Sequence, residues 1–73
     1  MEANETELAV IAVSRTLFEV LIQKDLIPYG EIDRLLEIQQ KGFAEKAQIN
    51  AAGMIGTVRT LLKQKYGDKA GLH

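Results

Sequence analysis

The side chains able to do chemistry here are mostly carboxylates and bases, because the sequence has no cysteine and a single histidine, His73. Glu31, Asp33, Glu37 and Glu45 recur at helical spacing and could in principle act as general acids or hold a hard cation. A di-metal carboxylate site in a helical bundle pairs Glu with His as Glu-x-x-His, and no such pair exists in the sequence. Zinc would need thiolates or further imidazoles beside His73. No Ser/His/acid or Cys/His set can be assembled either. The acids alternate with Lys and Arg, as they do on a solvated helix face. The sequence therefore predicts no catalytic residue, no metal site and no cofactor, and reads as non-enzymatic.

The second candidate chemistry is anion recognition by Arg59, Lys63, Lys65 and Lys69. Arg59 and Lys63 stand one helical turn apart, and two copies of the chain would present the set twice. Phosphate binding needs several such contacts. A formal net charge of −1 and a pI near 5.7 argue against nucleic acid, and Tyr66 is the one aromatic nearby for base stacking. The bases near the C-terminal end, and Glu2, Glu5 and Glu7 near the other, also suit the helix macrodipole, which favours that arrangement by ~0.3–1 kcal/mol per charge.

The elements that carry these residues are helical. Apolar residues recur every three or four positions, and no alternating run is long enough for a strand. A first helix is expected over residues 5–24, capped by Asn4 with Glu7 closing a capping box, or by Thr6. Val10, Val13, Leu17, Val20 and Leu21 make one stripe on it, and Ile11, Phe18 and Ile22 make a second, with Leu8 extending that side. The apolar arc is roughly 200° wide, about twice what one buried face requires. Pro28 ends this helix within a turn at residues 25–30 and suits the start of the next. Ile27 and Ile32 have the spacing of a hydrophobic staple across that start.

From residue 29 to 66 the helical pattern continues, with Gly42 as its weak point. Phe43 could pack back on Ile38 past a Gly42 helix end. No Ser, Thr, Asp or Asn follows within four residues to cap a new helix, and Glu37–Lys41 and Lys41–Glu45 continue at i,i+4 across it. One long helix is favoured, with Gly67 as its cap and a frayed tail at 67–73. It would run about 57 Å beside a first helix of about 30 Å. Met54, Ile55, Val58, Leu61 and Leu62 would then project uncovered.

The expected fold is thus a single all-α domain over residues 1–73: a helical hairpin of short helix, proline turn and long helix, pairing as a dimeric bundle. The alternative is a monomeric three-helix bundle broken at Gly42. A chain of 73 residues buries only about 60% of its unfolded surface, and without disulfide or metal, oligomerisation is the compensation left. The expected interface takes Val13, Leu17, Phe18, Val20 and Leu21 from the first helix. From the second it takes Phe43, Ala47, Ala51, Gly53, Met54, Gly56, Val58, Leu61 and Leu62. Ala44, Ala47, Ala51, Ala52, Gly53 and Gly56 crowd one region, as at a tight helix crossing on a dimer axis. Gln40 and Asn50 lie near a seam of Leu36, Phe43, Ala47, Met54 and Leu61, where a buried polar residue can fix register; drift of the seam along a straight helix favours both being exposed.

The functional expectation is a small homo-oligomeric protein-interaction module: a regulator, adaptor or assembly factor. The second reading is a nucleic-acid-binding accessory protein, and the third a helical subunit of a larger hetero-complex. The apolar run from Leu8 to Ile22 is broken by Ser14, Arg15, Thr16 and Glu19 and is shorter than the ~20 residues a bilayer crossing needs. An acidic N-terminus is unlike a secretory leader, so a cytoplasmic protein without a membrane partner is expected.

Overall fold

In the computed structural model, residues 4–71 are described, the last four by their backbone only. Three helices follow one another: α1 (Glu5–Gln23), α2 (Tyr29–Glu45) and α3 (Ile49–Gly71). Helix α1 starts at a capping box, in which Asn4 Oδ1 accepts from the Glu7 amide at 2.8 Å and Glu7 Oε1 accepts from the Asn4 amide at 3.2 Å. It ends as a Schellman motif. The Leu26 amide donates to the Leu21 carbonyl at 2.9 Å and the Asp25 amide to Ile22 at 3.0 Å, with Asp25 left-handed at φ 56°. Pro28, at φ −65° and ψ 147°, caps α2. Ile27 packs against the cluster that contains Ile32, joining the loop to the first full turn of α2.

The continuous helix expected from 29 to 66 does not form. The chain reverses at residues 46–48, and the alternative break at Gly42 is not used either, since Gly42 lies inside α2. The break is another Schellman motif: the Gln48 amide donates to the Phe43 carbonyl at 2.9 Å and the Ala47 amide to Ala44 at 3.0 Å. Ala47 takes the left-handed position at φ 59°, where glycine is usual. What offsets the strain is the antiparallel hairpin it permits, in which α2 and α3 make the most extensive contact of the fold. Ile32 of α2 and Val58, Leu62 and Tyr66 of α3 form the core, with Ile11, Phe18, Leu21 and Ile22 of α1 packed on its side.

This reversal removes the projecting row. Val58 is 5% exposed and Leu62 1%, so both are buried in the chain's own core and do not project as the continuous helix would have left them. Met54, Ile55 and Leu61 are half-buried. Gly67 does not cap α3, which continues to Gly71. Residues 72–73 of the expected tail, His73 among them, lie outside the described residues, as does the side chain of Lys69.

Helix α1 runs parallel to α3, held at its C-terminal end by Glu19 and Gln23 reaching Lys65 and Tyr66. Its contact with α3 is smaller than that of α2, and its contact with α2 is slight.

Candidate interaction surface

The two stripes of α1 meet different fates. Ile11, Phe18 and Ile22 turn inward onto the core. Val10, Val13, Leu17 and Val20 turn outward and remain 41–60% exposed, whereas Leu21 of the same stripe packs on the core and Leu8, beside the second stripe, is exposed. No charged residue interrupts that row between Ala9 and Val20, because Arg15 and Glu19 point elsewhere and pair with each other at 3.4 Å. Thr16 also sits beside the row, and its hydroxyl donates back to the Ala12 carbonyl at 2.9 Å, which leaves its methyl group to the surface. Ala12, Val13, Thr16 and Leu17 together outline a shallow depression at the middle of the row. Exposed large apolar side chains elsewhere do not form such a row: Leu26 and Ile49 stand singly at the two helix connections, and Leu35 and Ile38 lie on α2.

An open apolar groove of about 260 Å³ adjoins this face, between the N-terminal half of α1 and the α2–α3 hairpin. Val10, Ile11 and Phe18 line one wall, with Phe43, Met54 and Ile55 opposite. Val10 thus belongs to both the outward row and the groove. It was legible on the helical wheel as part of the first stripe, although the expected interface omitted it.

The remaining candidate interface residues are placed as follows. Phe18 and Leu21 of α1 are half-buried on the core, Phe43 and Ala51 are half-buried, and Ala47 is exposed at the break. Within the single chain, Gly53 and Gly56 are not at a crossing point between helix backbones. A Cβ on Gly53 would meet nothing within 4 Å, and one on Gly56 would lie 2.7 Å from Gln40 Nε2. Gln40 is not the exposed residue expected: its amide donates to the Ala52 carbonyl at 3.2 Å and accepts from Arg59 Nη1 at 2.8 Å. Asn50 is exposed.

The basic residues are dispersed. Arg59 makes a two-pronged bond to Asp33, Nε to Oδ1 at 2.8 Å and Nη2 to Oδ2 at 3.1 Å, with Glu37 at 3.8 Å. The Asp33 hydrogen bond raises the Arg59 pKa, against the opposing effect of burial. Lys65 points the other way, to Glu19 Oε1 at 2.7 Å. That bond holds the Glu19 carboxyl below its ordinary range and raises Lys65. Lys63 lines an open cleft of about 630 Å³ with Tyr29, Asp33 and Arg59, where burial pushes the Tyr29 phenol up. Arg59 and Lys65 thus pair with carboxylates that join α3 to α2 and to α1, so Lys65 does not share the cleft that Arg59 and Lys63 line.

Among the described residues, no group of three His, Cys, Asp or Glu side chains is placed to hold a metal ion, and no helix is long and apolar enough to cross a membrane. Compared with known proteins, the chain matches no family model, no curated protein and no solved structure.

Proposed function

We propose that this chain is a small, non-enzymatic protein-interaction module that self-associates in the cytoplasm through the outward face of α1, acting as a regulator, adaptor or assembly factor. The observation that carries the reading is the uncharged row Val10, Val13, Leu17 and Val20, left 41–60% exposed by the fold. Contiguous apolar patches of this kind mark contact surfaces in soluble proteins. The cytoplasm enters the proposal through the absence of cysteine, which fits a reducing compartment.

The nucleic-acid reading loses support because Arg59 and Lys65 already have carboxylate partners within the chain.

The test is molar mass in solution by sedimentation. The chain is expected to dimerise at micromolar concentration, and Leu17→Asp to abolish this while leaving the helical circular dichroism unchanged. Burying one Leu contributes ~1.5–3 kcal/mol, and a symmetric dimer loses two, so the shift should exceed about a hundredfold in dissociation constant. A chain that stays monomeric at tens of micromolar with native helicity makes the reading wrong.

A further inference from the structure

Self-association through α1, on which this inference rests, leaves open what the outward face meets and in which direction. We infer that it meets the same face of a second copy with the two α1 helices antiparallel, the two-fold axis passing between Val13 and Leu17. A symmetric dimer uses one patch on both subunits, so the patch must complement itself under that rotation. The row is spaced symmetrically about its midpoint. Reversal sets Val10 opposite Val20 of the other copy and Val13 opposite Leu17, so each contact pairs apolar with apolar. Near the axis, the depression outlined by Ala12, Val13, Thr16 and Leu17 lies where the opposite Leu17, 60% exposed in the single chain, has to be accommodated.

Charge selects the direction. The N-terminal turn of α1 carries Glu5 and Glu7 and its last turn carries no base, but the capping residue Lys24 follows directly. In the antiparallel arrangement Lys24 of each copy arrives beside Thr6 of the other, between Glu5 and Glu7, with the exposed Asp25 next to it, and the opposed helix dipoles favour this direction. A parallel arrangement would bring four acids together at one end and two lysines at the other.

Disulfide trapping tests the direction, and the chain has no native cysteine to interfere. Val10→Cys and Val20→Cys lie at exposed positions and are made as separate proteins. Oxidised alone, each is expected to remain uncross-linked, because residue 10 faces 20 and not itself. The equimolar mixture is expected to give a covalent dimer at least tenfold faster than either protein alone. If each variant cross-links with itself, the helices are parallel and the inference is overturned. If neither the single proteins nor the mixture cross-link although sedimentation shows dimers, a different face is used and the inference is again overturned. Dimers with the wrong cross-links leave the self-association reading intact, whereas monomers throughout remove both.

Discussion

Gln40 sets how closely α2 approaches α3. Its amide spans Ala52 and Arg59 in a half-buried position, and each such hydrogen bond contributes about 1 kcal/mol net. The space it occupies exists because residue 56 has no Cβ: one built there would stand 2.7 Å from Gln40 Nε2, while one on Gly53 would meet nothing. The two glycines, three positions apart in one helix, should therefore respond differently to alanine. Gly53→Ala gains helix propensity alone, about 1 kcal/mol, and should raise the melting temperature by roughly 4–8 °C. Gly56→Ala gains the same propensity but displaces Gln40, at a cost of up to ~2 kcal/mol for two lost bonds, so its melting temperature should stay level or fall. Equal stabilisation by both, in thermal unfolding at one concentration, would show that the Gln40 bridge contributes nothing.

The break between α2 and α3 carries more structural consequence than any other feature of the chain, and it rests on Ala47 at φ 59°. An L-residue in the left-handed region costs ~1–2 kcal/mol, part of which glycine's extra freedom in the unfolded chain gives back. Ala47→Gly should thus stabilise the fold by about 0.5–1 kcal/mol in urea unfolding. Were α2 and α3 one continuous helix in solution, the same substitution would destabilise by a similar amount, so the sign alone decides. The same residue explains what could and could not be read beforehand. Helix α1, its Asn4–Glu7 cap and the end forced by Pro28 follow from local spacing and local sterics, and the two stripes of α1 were plain on a wheel. The reversal at 46–48 carries no glycine, no proline and no capping Ser or Asp to announce it. Gly42 drew attention as a helix breaker, yet it sits within α2 because packing overrides a penalty of about 1 kcal/mol. Burial of Val58 and Leu62 is a consequence of that unannounced turn. The outward row of α1 was legible, whereas the loss of Arg59 and Lys65 to Asp33 and Glu19 needed the three-dimensional arrangement.

Taken together, the three helices are unequally held. The α2–α3 hairpin surrounds Ile32, Val58, Leu62 and Tyr66 and is clamped by the Arg59–Asp33–Gln40 group. Helix α1 is attached to it mainly by one side of its C-terminal half, through Phe18, Leu21 and Ile22 and the Glu19–Lys65 pair. Toward its N-terminus, Leu8, Val10 and Val13 are open to solvent and the wall facing the hairpin opens into a groove. Local opening free energy follows buried apolar contact, so in a lone chain the amides of residues 8–14 should exchange before those of α2 and α3. Pairing through α1 would reverse part of that order, because anything that binds the folded form protects it in proportion to its own concentration. Hydrogen exchange at two protein concentrations, one on each side of the dimer dissociation constant, separates these contributions. Residues 8–20 should gain protection on concentration, by about tenfold if one copy is present at ten times the dissociation constant, while amides around Val58 and Leu62 change less. Uniform protection across all three helices, independent of concentration, would mean that α1 is held as firmly by its own chain as the hairpin is, and that its outward row has no partner to meet.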